Sequence, residues 1–317
     1  MILFYYIMLK YAIDLNKYKD RDQNADYHEE YQYLNLLKDL MQHGTLEEGR
    51  NGKTKSAIGA AMSFSLENGK IPILTTKKTA WKTCLKELLW FISGSTDAKI
   101  LTDQGVGIWK GNTTKEFLET RGLDYEPGRS IGPLYSHQWR FWNAKYETDP
   151  NADYTGKGID QLQNAIDILK DPEQRNSRRI VISAWNPEQI DEGVLPSCHS
   201  FFQFSVTQGN KLSCCLTARS QDIFLGEPFN IASYSFLVHL IAKHCDLIPY
   251  EFILYAGNVH IYDDHFEQVT EQISRTPYPF PTLEILNKRD NINDYVIEDF
   301  KLNDYQHHPQ LKGAMRA

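Results

Sequence analysis

The sequence predicts an α+β fold built around one sheet. Long apolar segments with helical spacing are mixed with several strand-like runs rich in β-branched and aromatic residues. Two such runs, "SFFQFSV" and "KLSCCLTARS", flank Gly209-Asn210 and predict a β-hairpin. With 317 residues, 41% of them hydrophobic, the chain can form one large domain or two small ones with a sizeable core.

In the first half of the chain two helices are predicted. Apolar residues recur at helical spacing from Glu29 to Met41, and Gly44 ends that helix. Residues 45–56 are interpreted as a glycine-bearing loop with three basic residues, followed by a strand-like run to Leu66. Residues 81–93 again show helical spacing.

In the second half the elements are easier to separate. Residues 143–158 are polar and turn-rich, and a helix is predicted over about 159–170. A short strand, "RRIVISAWNP", precedes the hairpin. After the hairpin we expect the apolar helix "FNIASYSFLVHLIAKHC", the strand "EFILYAGNVHIY" and a helix over 264–274.

The first 27 residues differ from the rest. Residues 1–9 are apolar and aromatic, but Lys10 ends the run, which is too short for a membrane span and poor as a signal peptide. The following charged, Tyr-rich segment predicts an exposed, flexible lead-in. We therefore divide the chain into a variable lead-in, 1–27, and a folded domain, 28–317, with a cytoplasmic or nuclear location as the default.

Charge and cysteine content exclude some classes of protein. A net charge of -7 argues against a dedicated DNA- or RNA-binding protein, whose surface should be basic. Five cysteines without regular spacing indicate a reducing compartment and no disulfide framework, and the absence of a C-x-x-C pair argues against a structural zinc site. Cys84, Cys214, Cys215 and Cys245 lie in apolar patterns and are expected in the core.

Cys198 is the strongest candidate for chemistry. It lies in "LPSCH", a proline-primed turn, and "ARSQD" follows about twenty residues later. A cation beside a cysteine lowers the thiol pKa and favours the nucleophilic thiolate. The alternative from these residues alone is a buried cysteine that only packs.

Six tracts resemble the thymidylate synthase family along nearly the whole chain, from about His28 to Ala317. Their order and spacing match the family, although any one tract would be weak evidence. They are "ILTTKKTAWKTCLKELLWFISGST", "IGPLYSHQWRFW", "SRRIVISAWNP", "LPSCHSFFQFSV", "ARSQDIFLGEPFNIASY" and "GNVHIYDDHFEQV".

The resemblance implies an architecture and a reaction. It implies a single domain with a large twisted mixed β-sheet flanked by helices, paired sheet to sheet with a second copy in a homodimer. The implied reaction converts dUMP to dTMP with 5,10-methylenetetrahydrofolate as co-substrate, one-carbon donor and reductant, without a metal, DNA or a membrane.

The resemblance also assigns residues to the nucleotide. Phosphate would be bound by Arg50, Arg219 and Ser220 of one subunit and by Arg178 and Arg179 of the other, since guanidinium groups suit phosphate. For each arginine alone, the alternative is a solvated surface charge. Asn230 would read the uracil edge, where an aspartate would favour cytosine, and His260 and Tyr262, two apart on a strand, would bind a sugar hydroxyl.

Further residues are assigned to catalysis and to the folate. The implied catalytic set is Cys198, Glu87, Tyr135, Asn186, His199 and Asp222. Glu87 lies on an apolar helix face, where a carboxylate needs a hydrogen-bond network or a role in proton transfer. The implied folate set is Lys77, Ile108, Trp109, Asp222, Leu225, Gly226, Phe229 and Ala317.

Some positions depart from the family pattern and leave rival functions open. Ser130, Ser197, Ala218 and Asn258 replace the usual residues, and the chain ends in Met315-Arg316-Ala317 where the family ends in small apolar residues. A tail held open by hydrated Arg316 would admit water and favour a deoxyuridylate hydroxymethylase. A catalytically idle nucleotide- or RNA-binding relative is disfavoured, because Cys198, Glu87 and Asn230 are retained.

Overall fold

A computed structural model describes residues 28–49 and 51–316 of the chain. The strands are β1 (Thr45–Gly49), β2 (Gly52–Ser65), β3 (Val181–Ser183), β4 (His199–Thr207), β5 (Lys211–Asp222), β6 (Ile248–Tyr262), β7 (Thr282–Ile285) and β8 (Phe300–Asn303). Six of them form one sheet in the order β1-β2-β6-β5-β4-β3, and β7 pairs with β8. Only β5 and β6 are parallel neighbours, so the large sheet is mixed, which confirms the predicted fold.

Helices flank this sheet. The α-helices of the described residues are α1 (Tyr31–His43), α2 (Trp81–Ile92), α3 (Ala98–Asp103), α4 (Lys115–Arg121), α5 (Tyr135–Phe141), α6 (Gln161–Lys170), α7 (Gly226–His244) and α8 (Phe266–Ile273). Helix α7 is apolar on nearly all sides because it is buried between β5 and β6 on one side and α2 on the other. None of the helices described is long and apolar enough to cross a membrane.

Most predicted elements are present, but the loop predicted over residues 45–56 is wrong. This segment forms β1 and the start of β2, paired antiparallel from Thr45 opposite Ser56 to Gly49 opposite Gly52. All of β1 is exposed, so no alternation of apolar and polar residues reveals it. Gly52 has a φ of 116°, which a residue with a side chain rarely adopts, and this allows the tight turn.

The sheet face opposite α7 carries exposed apolar side chains. Val181, Phe201 and Tyr255 are 42%, 39% and 43% exposed. Phe201 and Tyr255 lie in one cross-strand row, joined through Thr217 of β5. We call this surface the open sheet face.

The cysteine predictions are mostly confirmed. Cys84, Cys214 and Cys245 are buried. Cys215 is only partly buried, because successive residues of β5 point to opposite faces and the neighbouring Cys214 takes the covered one. The expectation that Cys215 lies in the core is therefore wrong.

Candidate active site

The candidate residues gather where β5 and β6 end. These strands are parallel, so their carboxyl ends meet at one edge of the sheet, and Asp222 lies opposite His260 in the register. β4 begins at the same edge, where the Arg219 N–H donates to the Cys198 carbonyl at 2.9 Å. The sheet thus brings together three stretches that are far apart in sequence.

Cys198 lies on the turn before β4 with the expected cation beside it. Arg219 places Nη2 3.6 Å from the Cys198 Sγ and also donates to the carbonyls of Pro196 and Ser197, at 2.7 and 2.9 Å. Burial nevertheless raises the pKa of the Cys198 thiol, and Arg219 only opposes that rise. The expected lowering of this pKa is therefore wrong in net direction, because desolvation outweighs the charge. Ser197 contributes its carbonyl here, which a proline would also supply.

Tyr135 and His199 form the walls beside the thiol. The Cys198 N–H donates to the Tyr135 Oη at 2.8 Å. The Tyr135 and His199 rings lie 5.1 Å apart. Burial raises the Tyr135 pKa, so its hydroxyl keeps a proton that it can donate. Burial lowers the His199 pKa to about 4, which leaves the imidazole neutral.

Asn230 is held in place by neighbouring polar groups. Its Nδ2 donates to the Gln221 Oε1 at 2.8 Å, and its side chain also accepts from His199. Gln221 is 2% exposed, and its Nε2 has no hydrogen-bond partner among the described residues. Sequence reasoning missed Gln221, although it lies between Ser220 and Asp222 inside a recognised tract. Its contact fixes the plane in which Asn230 presents donor and acceptor atoms.

Glu87 projects from α2 and is bound by an indole. The Trp109 Nε1 donates to the Glu87 Oε1 at 2.9 Å, and the Trp109 ring lies 6.4 Å from the Tyr135 ring. Burial raises the Glu87 pKa to about 7, although the Trp109 hydrogen bond opposes this. A carboxyl group with this pKa can gain or lose a proton near neutral pH.

Asn186 belongs to a different set of amides. It is buried and donates from Nδ2 to oxygens of Gln138, Asn143 and Gln189 at 3.0–3.3 Å. Among the hydrogen bonds described, none joins it directly to Tyr135. Its connection to the cleft runs through α5, which carries both Tyr135 and Gln138.

His260 and Tyr262 lie two residues apart on β6, as predicted, and both are half-buried. Their rings are 5.3 Å apart, and the His260 Nδ1 donates to the Asn258 Oδ1 at 2.9 Å. Asn258 therefore keeps the acceptor that an aspartate would supply. Burial raises the Tyr262 pKa, while a hydrogen bond with Asn51 opposes it.

The start of α7 contributes an apolar wall and a carboxylate. The Asp222 Oδ1 accepts from the backbone N–H groups of Phe224 and Leu225 at 3.0 and 3.1 Å, which fixes the turn before Gly226. Leu225 and Phe229 are only partly buried against the core, so apolar surface remains open.

Lys77 and the remaining apolar candidates lie around this wall. Lys77 is 6% exposed, donates to the Phe224 carbonyl and lies 3.7 Å from the centroid of its ring. Its ammonium is therefore directed into the protein, and this burial lowers the Lys77 pKa to about 7. Ile108 is half-buried next to Trp109. No cluster of His, Cys, Asp or Glu in the described ranges could hold a metal ion.

Arg178 and Arg179 lie apart from Cys198 within one chain. Both are exposed just before β3, where Val181 pairs with Gln203. Extending that register places Arg179 beside position 205, seven residues along β4 from Cys198. At about 3.3 Å per residue, the separation is roughly 20 Å.

The model of one protein family, described as "Thymidylate synthase", matches residues 31–317. The chain belongs to the thymidylate synthase family. It is 47% identical over 92% of its length to a bifunctional dihydrofolate reductase-thymidylate synthase of Zea mays, covering 55% of that protein. Proteins of the same name from Plasmodium chabaudi and Paramecium tetraurelia are 45% and 44% identical over 92% and 91% of the chain, covering 49% and 61% of theirs. The chain thus spans about half the length of the curated relatives it matches.

The C-terminal tail of this thymidylate synthase family member is docked on the protein. The Ala314 carbonyl accepts from the His265 Nε2 at 3.0 Å. A Cβ added to Gly313 would lie 2.7 Å from the His265 ring, so only glycine fits there. Arg316 pairs with Asp264, which differs from the expected arginine left in solvent. Arg50 and Ala317, together with the predicted lead-in 1–27, lie outside the described residues.

Proposed function

We propose that this chain catalyses the reductive methylation of dUMP to dTMP and releases dihydrofolate. The observation that carries the proposal is the Cys198 thiol next to the Arg219 guanidinium, with the fixed amide of Asn230 joined to the adjacent His199. Family membership and the names of the relatives support the same reaction. Since the chain matches only about half of each relative, the reaction is inferred for the matched half.

In this reaction Cys198 is the nucleophile. C5 of uracil is not nucleophilic, but addition of the Cys198 thiolate to C6 places an electron pair at C5. That carbon can then attack a one-carbon electrophile, and the C6–S bond breaks again when the product forms. Arg219 favours the thiolate and opposes the burial that raises the thiol pKa.

Nucleotide recognition would use the residues gathered where β5 and β6 end. Asn230 would accept from the uracil N3–H and donate to O4, with His199 and Gln221 holding its plane. The phosphate would be bound by Arg219, Ser220 and Arg50, and the sugar hydroxyl by His260 and Tyr262. The register supports this arrangement, since Ser220 and His260 come from adjacent parallel strands.

Proton movement would depend on the cleft beside α2 and α5. Glu87, with a pKa of about 7, would exchange protons at O4 through water. Tyr135, which accepts from the Cys198 N–H, would help to remove the C5 proton. Asn186 would position α5 through Gln138.

When bound, 5,10-methylenetetrahydrofolate supplies the one-carbon unit and the hydride. The residues present fit a flat, partly polar ring: Leu225, Phe229 and Ile108 leave apolar surface open, and Asp222 offers a carboxylate at its edge. Gly226 and Trp109 would complete these walls, Ala317 would close them, and Lys77 would bind the glutamate tail. Lys77 must then leave the Phe224 carbonyl that it now contacts.

The partner would be a second copy of this chain, bound through the open sheet face. Val181, Phe201 and Tyr255 give this face an exposed apolar surface, which is typical of an interface. Arg178 and Arg179 lie just before β3, the edge strand of the sheet, too far from their own Cys198 to bind the same phosphate. We infer that they complete the partner's site in an isologous homodimer.

The compartment would be reducing, which means cytoplasmic, or also nuclear in a eukaryote. All five cysteines are free, and a thiolate nucleophile needs protection from oxidation.

The test of the reaction is mass spectrometry of the products formed from dUMP and 5,10-methylenetetrahydrofolate. Thymidylate and dihydrofolate in equal amounts are expected. A product heavier than thymidylate by one oxygen would identify the hydroxymethylase instead, and no turnover despite nucleotide binding would identify an idle relative. Cys198→Ala provides the matched control, since only the covalent step is lost.

A further inference from the structure

We call residues 312–316 the tail. Among the described hydrogen bonds and ion pairs, three attachments hold it, and two of these use only its backbone. The Gln268 Nε2 donates to the Lys312 carbonyl at 3.2 Å, and His265 contacts the Ala314 carbonyl. The third attachment is made by a side chain, that of Arg316. Its Nε donates to the Asp264 Oδ2 at 3.0 Å, and its Nη2 lies 3.6 Å from the Asp263 Oδ1.

The two carboxylates are fixed beside the proposed nucleotide site. Asp263 and Asp264 begin the 3-10 turn Asp263–His265, which directly follows Tyr262 at the end of β6. The Arg316 guanidinium also lies against Gly52, where an added Cβ would be 3.3 Å from Nη1. Arg316 therefore joins the tail to the end of β6 and to the turn before β2.

We propose that Arg316 is a positioning residue whose ion pair with Asp263 and Asp264 holds the C-terminal tail closed over the folate side of the site. This inference rests on the proposed function, because the closed tail acts by favouring folate binding and methyl transfer. A hydrated arginine in this position suggests an open tail from sequence alone. The two carboxylates reverse that expectation, because they give the guanidinium partners that it would otherwise find in water.

The expected effect is modest, because the pair is partly exposed to solvent. The side chains of Arg316, Asp264 and Asp263 are 36%, 33% and 41% exposed. Ion pairs of this kind change an equilibrium by about two- to fivefold at low salt, and salt screens them. Loss of the pair should therefore raise the KM for the folate about two- to fivefold at low ionic strength, with a smaller change in kcat.

The experiment uses Arg316→Ala and the double variant Asp263→Asn with Asp264→Asn, which leaves the tail sequence unchanged. Both should raise the folate KM alike. Combining them should add nothing further, because each variant removes the same ion pair. Arg316→Lys should recover part of the effect. Lys312→Ala removes another cation of the same tail, and it should leave the KM unchanged.

Hydrogen exchange of the tail gives a second readout that does not depend on activity. The amides of residues 312–316 should exchange faster in Arg316→Ala and in the double variant, and the difference should shrink at high salt. Unchanged exchange and KM in both variants, or effects that simply add, would overturn the proposal. If the wild-type chain makes no thymidylate, the proposed function fails, whereas the exchange rates still decide whether Arg316 holds the tail.

Discussion

At the scale of single residues, Asn230 is the side chain that we propose reads the base. Its Nδ2 already donates one proton to Gln221, and its oxygen accepts from His199. A carboxylate at this position can be accommodated, because Gln221 can turn its unpartnered Nε2 toward it. The substitution therefore changes the edge presented to the base while keeping a hydrogen bond with Gln221.

Asn230→Asp should therefore shift preference from dUMP toward dCMP by at least about tenfold in the ratio of kcat/KM values. A mismatched buried polar group costs about 1–3 kcal/mol, and 1.4 kcal/mol corresponds to a factor of ten. Steady-state kinetics with both nucleotides provide the measurement. Asn230→Ala is the control, and it should weaken both substrates without reversing their order. An unchanged ratio in the aspartate variant would show that Asn230 does not read the base.

Glu87 gives the stability of the protein a specific pH dependence. Its folded-state pKa of about 7 lies above the ordinary value of 4.5, so Glu87 stabilises the fold fully only below about pH 4.5. As the pH rises toward 7, the folded state must hold a carboxylate that the unfolded chain ionises more easily. The free energy of unfolding therefore falls over this range.

Glu87→Gln should remove that decrease, because glutamine does not ionise. Relative to wild type, the variant should gain about 2 kcal/mol of unfolding free energy between pH 5 and pH 7.5, allowing for the partial exposure of the group. Urea denaturation at several pH values measures this difference, and the exposed Glu173→Gln variant is its control. Glu87→Gln should also lose about 10²-fold or more in turnover if Glu87 transfers a proton. A stability difference that does not vary with pH would contradict the raised pKa.

At the scale of elements, the turn before α5 places Tyr135 beside the thiol. Gly132, three residues before Tyr135, has a φ of 78°, and an added Cβ would lie 2.2 Å from the Glu192 carbonyl oxygen. Gly128 has the same φ of 78°, but a Cβ there would have nothing within 4 Å. Comparing the two glycines separates the effect of backbone conformation from the effect of steric contact with an added Cβ.

Gly128→Ala should cost about 1 kcal/mol, the ordinary penalty for a side chain at positive φ. Gly132→Ala should cost about 3 kcal/mol or more, since the backbone near Glu192 must also move. It should also lower turnover by displacing Tyr135. Chemical denaturation and kinetics of the two variants test this, and equal costs would mean that the contact with Glu192 relaxes freely.

The elements show why the sequence predicts some parts and not others. Helix α2 and the β4–β5 hairpin follow clear periodic patterns, and the structure has both. Helix α5 has no such pattern, because Tyr135 to Arg140 are all buried and no polar face marks it. Strand β1 is not predicted for the opposite reason, since all its residues are exposed.

For the site, the resemblance supplies residue identities, whereas the geometry depends on contacts between distant segments. Cys198 and Arg219 are recognisable from their tracts, and the structure brings them to 3.6 Å. The net rise of the thiol pKa could not be predicted, because burial depends on what packs around the turn. The partners of Arg316 could not be predicted either, since Asp263 and Asp264 lie about fifty residues away in sequence.

At the scale of the whole molecule, one chain holds only part of the proposed phosphate site. Arg178 and Arg179 lie roughly 20 Å along β4 from the thiol, since β4 runs between them. The open sheet face lies on the strands that connect the two places. Pairing two such faces around a twofold axis would let each subunit supply arginines to the other.

Mixing two inactive variants tests this arrangement. A Cys198→Ala chain and an Arg179→Glu chain should regain activity when they exchange subunits. One site of each heterodimer carries both defects and the other carries neither. With random exchange, half of the dimers are heterodimers, so activity should reach about a quarter of the wild-type value. Native mass spectrometry of differently tagged chains measures the exchange, which mild denaturant promotes.

The control for this experiment is a mixture of Cys198→Ala with Asn230→Ala. Both residues belong to the same subunit's cleft, so each site of that heterodimer has one defect and activity should not rise above that of the unmixed variants. Recovery in the first mixture and none in the second would require Arg179 to act across the interface. If neither mixture recovers despite proven exchange, Arg179 does not complete the partner's site, and the open sheet face needs another explanation. If both recover, Asn230 and Cys198 act in different subunits, which would contradict the contacts of Asn230 with Gln221 and His199 in one chain.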